Sequence, residues 1–491
     1  LYPSIPLCWL FGTLVLATIV LAMLFLLFRM DSSRNANMPP GPTPLPIVGN
    51  LLQHIKIMFF LLSAPQLKDT YGPVMTVHLG SMRAVVLVGF EAVHEALVQQ
   101  ADVFAGRGVS PFFVGLIQSN GERWKQIRRF SLSTMRDFGM GKRSIEEWIQ
   151  EEAKHLTEEF RKTKGSPCDP TIFLSRAVSN VICSIVFGQR FDYQDKKFIN
   201  LVSLLFLCLF LCLVQLYGTF PVFTKLIPGP FNKMLTCLNE LKQFTSAMIA
   251  KHKASLVSDS PRDFIDSFLI KMKQEDKNPA TEFHHDNLNI TVLNLFSAGT
   301  ETTSTTLRYG LLILMKYPHI QEKVQKEIDM VIGRDRAPAM EDRRKMPYTD
   351  AVLHEIQRFI DLVPLNGFHK TTKDTIFRGY TIPADTVVIP VLYSVLFDKT
   401  KWATPHSFNP GHFLDENGCF KMNSAFMPFS TGKRICAGEG LAKMELFLFF
   451  TTLLQNFSFR STEDPANISL LPDSKSFFKR PLPYTFLAIP R

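Results

Sequence analysis

Apolar residues recur three and four positions apart along most of this chain. That spacing predicts helices over 91–100, 144–163, 234–256, 319–332, 349–361 and 439–455. The longest run extends from about Asp286 to Lys316 and stops before Pro318, which cannot continue a helix. Alternating patterns are few. Val74–Leu79 and Ala84–Val88, joined by Gly80-Ser81-Met82-Arg83, predict a hairpin, and Thr386–Ile389 a further short strand. The chain has no internal repeat and no Gly-rich phosphate loop, so the pattern predicts a mainly α protein with a small β region.

Two uncharged stretches interrupt this picture. Residues 1–28 carry no charge, and Leu7 to Phe28, at about 1.5 Å per residue, is long enough to cross a bilayer core of roughly 30 Å. A cleaved signal would show a basic start and a small-residue cleavage site, and neither is present. Arg29 and Arg34 follow, which places the remainder on the cytosolic side. The expected organisation is an anchor over 1–28, a basic and proline-rich hinge over 29–50 and a catalytic domain over 51–491. Within the hinge, Met38-Pro39-Pro40-Gly41-Pro42-Thr43-Pro44-Leu45-Pro46 favours an extended spacer free of hydrogen bonds. The second stretch, 198–216, passes as a membrane span by hydropathy, but a span there would divide the catalytic body. A helix covering an apolar cavity and touching lipid with its other face is the preferred expectation.

Charge and cysteine usage narrow the function. Fifty-four basic against 44 acidic residues give a net charge of +10, which implies an anionic partner such as a lipid surface or an acidic protein. Zinc-type Cys pairs, an aromatic RNA-binding signature and a basic arm are not found, so nothing in the sequence supports nucleic acid as that partner. The eight cysteines are scattered with no CxxC, so a reducing compartment is expected, and the Asn-x-Ser/Thr matches at Asn289, Asn456 and Asn467 read as chance.

The stretch Phe429-Ser430-Thr431-Gly432-Lys433-Arg434-Ile435-Cys436-Ala437-Gly438 carries the chemistry. A lone cysteine is usually inert core, but here Gly432 permits a tight turn, Arg434 adds positive charge and a helix begins just after the thiol. Backbone N–H groups at that helix start would stabilise a thiolate metal ligand. Phe-x-x-Gly-x-Arg-x-Cys-x-Gly resembles the haem-binding signature of the cytochrome P-450 family. The likeness runs through the chain from the proline hinge onward. Phe138-Gly139-Met140-Gly141-Lys142-Arg143-Ser144-Ile145-Glu146 and Met346-Pro347-Tyr348-Thr349-Asp350-Ala351-Val352 are similar to the vertebrate microsomal family two, closest to subfamily C. The resemblance implies the cytochrome P-450 fold and haem b, with Cys436 as axial ligand to the iron. It also implies that Arg107, Trp124, Arg128, His369 and Arg434 hold the haem propionates. The resemblance further implies that Phe429, Gly432 and Gly438 shape the ligand loop.

Ala298-Gly299-Thr300-Glu301-Thr302-Thr303 lies inside the long helix. Clustered Gly and Thr weaken a helix, and alone they would read as a packing kink. Beside haem, small residues make room for a diatomic ligand, and Thr302 with Glu301 can relay protons, the role the family's matching motif implies. Glu355 and Arg358 stand three apart on a helix. On a surface such a pair contributes roughly 0–1 kcal/mol, but the resemblance makes it the family's structural Glu-x-x-Arg, with His412 as third partner.

Arg107 and Trp124 stand closer together than in subfamily C relatives, so the intervening pocket loop is shortened. Expected pocket residues are Phe112, Phe113, Ala298, Leu362, Val363, Leu365 and Phe477. The functional expectation is a monooxygenase of the endoplasmic reticulum membrane, its catalytic domain cytosolic. It would receive NADPH electrons from NADPH-cytochrome P-450 reductase, with cytochrome b5 a further partner, and oxidise small apolar substrates at the membrane lipid. Lys125, Arg129, Lys433 and Lys443 are the basic residues expected to attract the acidic flavoprotein. Two alternatives remain: an oxygen-independent peroxide isomerase or dehydratase, and a non-enzymatic haem or lipid binder.

Overall fold

The computed structural model describes residues 37–45, 48–50, 64–80, 82–108, 115–138, 143–210, 230–257, 260–473 and 478–491, with Val15 and Thr18. The expected anchor apart from Val15 and Thr18, residues 211–216 of the second apolar stretch, and the pocket candidates Phe112, Phe113 and Phe477 lie outside the described residues. The chain divides into two units, residues 1–106 with 367–391, and 107–366 with 392–491.

The first unit carries helix α1 (Ala64–Tyr71), strands β1 (Val74–Leu79) and β2 (Met82–Val88), and helix α2 (Phe90–His94), which runs on as π-helix to Gln99. Strand β3 (Gly106–Arg107) marks the passage to the other unit, and β4 (His369–Lys370), β5 (Thr375–Phe377), β6 (Tyr380–Ile382) and β7 (Val387–Val391) complete the strands here. The sheet order is β1-β2-β7-β4-β3, with β2 and β7 parallel (Val86 opposite Ile389). Ala84–Val88 and Val387–Val391 are buried on both faces, which explains their unbroken apolar runs. Leu79 pairs with Met82. The hairpin link is therefore two residues rather than the four expected, with Gly80 at φ +63° as such tight links require.

The proline hinge differs from expectation. Thr76 donates its N–H to Pro40 O at 2.9 Å and its hydroxyl to Pro39 O at 2.7 Å. A Cβ on Gly41 would stand 1.8 Å from Thr76 O. Instead of a hydrogen-bond-free spacer, this segment is bonded to β1 and covers part of an edge strand that would otherwise expose its backbone.

The second unit is helical: α3 (Gly121–Asp137), α4 (Arg143–Lys162), α5 (Pro170–Phe187), α6 (Lys196–Phe210), α7 (Pro230–Ala254), α8 (Phe264–Gln274), α9 (His285–Lys316), α10 (Pro318–Val331), α11 (Pro347–Ile360), α12 (Tyr393–Leu396) and α13 (Glu439–Asn456). Strands β8 (Phe457–Ser461) and β9 (Phe486–Pro490) pair antiparallel beside them. Helix α9 is the spine, packing against α5, α7, α11 and α13. It ends at Lys316, and Pro318 opens α10 at a position where its missing N–H costs nothing. Helix α5 was not legible as an amphipathic pattern because it is buried almost throughout, including Ser175, Ser179 and Asn180. It is long and apolar enough to cross a membrane, yet it is covered by α4, α8 and α9 and forms the core. Residues 198–210 of the second apolar stretch form part of α6, with Phe198, Leu201 and Val202 buried.

Gly299 sets the α5–α9 crossing, since a Cβ there would lie 2.5 Å from Ile182 Cδ1 and 2.8 Å from its Cγ1. Gly299→Ala gains about 1 kcal/mol in helix propensity but overpacks the contact by about 1–3 kcal/mol. Net destabilisation of up to about 2 kcal/mol is expected in urea titration, partly recovered by adding Ile182→Val. A stabilised single variant would contradict this reading of the contact.

Candidate active site

The ligand loop is built from its backbone. Ser430 and Gly432 take left-handed conformations (φ +63° and +71°), a short 3-10 turn covers Gly432–Arg434, and Cys436 donates its N–H to Phe429 O at 2.9 Å. The Cys436 side chain is accessible at its surface although protein atoms surround it to interior density, as for a thiol facing an internal cleft. Burial pushes this thiol up, while the backbone N–H groups of Gly438 and Glu439 and the Arg128 cation pull it back. Those N–H groups open α13, the arrangement that stabilises a thiolate.

Beside the loop, Arg434 and Arg128 flank Trp124, and Arg107 lies within electrostatic reach of both. Arg434 stacks 3.9 Å from the indole centroid, Arg128 lies 5.7 Å from it, and Arg128 donates to Ile435 O at 2.6 Å. Arg434 donates to Ser119 O at 2.8 Å and to Asn120 Oδ1 at 3.2 Å. Asn120 also clamps the Arg107 backbone, accepting its N–H at 2.7 Å and donating to its carbonyl at 2.9 Å. Burial, then the charge of Arg128, lowers Arg107 to about 10. Burial, then Arg107 and Arg128, lowers Arg434 to about 9. Asn120 precedes α3 as an N-cap residue should, yet its side chain makes no cap bond. Sequence reasoning missed its role because the pattern points to capping. His369, in the first unit, is buried and its Nδ1 lies 2.6 Å from Phe104 O.

On α9, Ala298 is exposed while Leu295, Gly299 and Thr302 are half-buried, within a helix otherwise largely covered. These positions fall at i, i+3, i+4 and i+7, one face of the helix. Thr302 donates its hydroxyl to Ala298 O at 2.8 Å. Glu301 stands off that stripe and is buried. Its Oε1 accepts from Arg480 Nε at 2.5 Å and from Thr305 Oγ1 at 3.1 Å. Arg480 was missed, since nothing local in the sequence connects it to a residue 179 positions earlier. Of the remaining pocket candidates, Leu362 and Val363 are half-buried and Leu365 is fully buried.

The Glu355–Arg358 pair is fully buried, not superficial. Arg358 donates to both carboxylate oxygens at 2.7 and 2.8 Å and to the carbonyls of Leu396, Pro405 and Ser407. His412 Nδ1 stands 3.2 Å from each Glu355 oxygen, and Asn409 donates its N–H to Oε1 at 2.8 Å.

The cytochrome P450 family model matches residues 39–488. The chain belongs to the cytochrome P450 family. Cytochrome P450 2B4 of Oryctolagus cuniculus is 54% identical over 471 residues, covering 94% of this chain and 96% of its own length. Cytochrome P450 2B19 of Mus musculus is 53% identical over 482 residues (96% and 98%), and cytochrome P450 2C8 of Homo sapiens 52% over 477 (95% and 97%). The relationship therefore reaches family two, with B and C members within two percentage points of each other. Membership makes this P450 a haem-iron oxidoreductase of the monooxygenase kind, and the mainly helical fold agrees.

The residues present fit haem. Trp124 Nε1 is a buried donor with no hydrogen-bond partner among the described residues. It lies among guanidinium groups that depress one another, a donor set suited to a group bringing two carboxylates.

Proposed function

We propose that this P450 is a monooxygenase of the endoplasmic reticulum membrane, with its catalytic domain in the cytosol. NADPH-cytochrome P-450 reductase supplies electrons from NADPH, with cytochrome b5 a second donor. Substrates are small and apolar: xenobiotics, polyunsaturated fatty acids such as arachidonic acid, and steroids, which it hydroxylates or epoxidises. Haem b, held by Cys436 at iron and by Trp124, Arg107, Arg128, Arg434 and His369 at its carboxylates, supplies dioxygen binding and O–O cleavage aided by thiolate electron donation. Anchor, hinge and catalytic domain follow the boundaries 1–28, 29–50 and 51–491, with Pro39 and Pro40 of the hinge bonded to β1.

The observation that most supports oxygen activation is the Thr302 hydroxyl on the accessible stripe of α9. Its bond to Ala298 O keeps the hydroxyl within the helix groove, and rotation about χ1 presents it to the pocket as a proton carrier. Ala298 leaves room beside it, and Leu362, Val363, Phe112, Phe113 and Phe477 are the residues to supply apolar contact to substrate. Exposed Arg129 and Lys433 contribute to an electropositive face for the flavoprotein. Lys125 and Lys443 are partly neutralised by Glu122 and Glu439 at 2.6 and 2.7 Å.

Thr302→Ala should raise peroxide release and lower product formed per NADPH by at least about tenfold, a floor below the roughly 10²–10⁴-fold that positioned general acid–base groups supply. The assay is reconstitution with the reductase, following NADPH, oxygen, peroxide and product across fatty acids, steroids and drugs. Unchanged coupling removes Thr302 from the mechanism. Rearrangement of a lipid hydroperoxide with no NADPH consumed would make the protein an isomerase instead.

A further inference from the structure

Glu301 is usually read together with Thr302 as one proton-delivery unit, but its environment here is set by a residue far away in sequence. Arg480 belongs to the C-terminal segment, and its neighbour Lys479 makes a parallel contact, pairing with the buried Asp361 at 2.7 Å and donating its N–H to Leu362 O at 3.1 Å. Two adjacent cations thus fasten this segment to α9 and to the end of α11. Arg480 Nε and Thr305 Oγ1 both occupy Oε1 of Glu301, whereas Oε2 is buried with no hydrogen-bond partner among the described residues. A carboxylate satisfied on one oxygen only is held in orientation, with the other oxygen left as the position that would accept a proton.

We propose that Arg480 is a positioning residue that fixes the ionisation and orientation of Glu301, and through Glu301 the proton supply beside Thr302. The consequence for proton delivery rests on the monooxygenase reading; the control of Glu301 does not.

The charges acting on Glu301 are few. Burial favours its neutral form, and Arg480, then Thr305, favours the ionised one, with Arg308 adding a smaller pull. The phenols of Tyr309 and Tyr484, both influenced by Arg308, are driven up by burial and stay neutral. With Arg480 charged, the nearest countercharge to Glu301 is in direct contact. Burial is the largest influence even so and holds the carboxyl above the ordinary carboxylate range; losing Arg480 removes the main opposing pull, and the carboxyl should then hold a proton at neutral pH.

The test is infrared difference spectroscopy on the purified ferric haem protein at pH 7, comparing wild type with Arg480→Leu. A protonated-carboxyl band should appear in Arg480→Leu, be absent from wild type and Arg480→Lys, and vanish when Glu301→Gln is added to Arg480→Leu. Raising the pH should remove the band, because the proton is lost as pH passes above the raised pKa. If Arg480→Leu does not fold, Arg480→Gln, which keeps a donor for Oε1 without the charge, should give the same band. No band in either neutral variant, or an equal band in wild type, overturns the proposal. Because the band is read without turnover, it remains informative if the protein proves not to be a monooxygenase. If it is one, product per NADPH in Arg480→Leu should fall several-fold and be restored by Arg480→Lys.

Discussion

Cys436→His is expected to yield a folded haem protein whose oxidation of substrate falls by at least about 10³-fold, equivalent to about 4 kcal/mol in the barrier. The loss follows from the donor atom. A thiolate pushes electron density toward iron and favours O–O cleavage, whereas a neutral imidazole pushes far less. The loop around Cys436 is shaped for the thiolate, with backbone N–H groups of Gly438 and Glu439 directed at sulfur and the Cys436 N–H tied to Phe429 O. The carbon monoxide spectrum of the reduced protein should move to the Soret position of histidine-ligated haem, with unchanged far-ultraviolet circular dichroism. Oxidation at the wild-type rate would remove Cys436 from its role as ligand.

The second large effect belongs to Glu355→Ala. Both members of the Glu355–Arg358 pair are fully buried. Removing one partner leaves a guanidinium uncompensated in the interior, at a cost of about 3–5 kcal/mol. That is a large share of the roughly 5–15 kcal/mol by which domains are stable. His412 and the Asn409 N–H lose their acceptor in the same step. The expected result is a marked fall in the urea midpoint, or failure to accumulate folded haem protein. Replacing both residues by Leu should not restore the wild type, because Arg358 also satisfies the carbonyls of Leu396, Pro405 and Ser407. An unchanged midpoint in Glu355→Ala would show the pair to be dispensable.

Local signals were legible where one helix or hairpin determines them. Helix α9 starts one residue from the expected Asp286 and ends at the expected Lys316, because a capping residue and Pro318 act within a turn of its ends. The hairpin of β1 and β2 was legible in the same way. Strands β8 and β9 were not, since Phe457–Ser461 finds its partner in Phe486–Pro490 across an intervening loop. Helix α5 lacks a polar face because it has almost no solvent face. At the site, Cys436, Thr302 and the Glu355–Arg358 pair stood out as motifs. Asn120 and Arg480 did not, because each acts through a contact that only folding creates.

The crowding of Arg107, Arg128 and Arg434 against one another also bears on how much protein a cell can keep. Like charges gathered in the folded state oppose folding, and a dianionic ligand that relieves them there, but not in the unfolded chain, adds stability in proportion to the logarithm of its free concentration. Newly made chains that meet too little haem remain longer in states that proteases clear. Steady-state abundance should therefore follow haem supply even at a constant rate of synthesis, making this basic cluster a coupling between pigment metabolism and protein turnover.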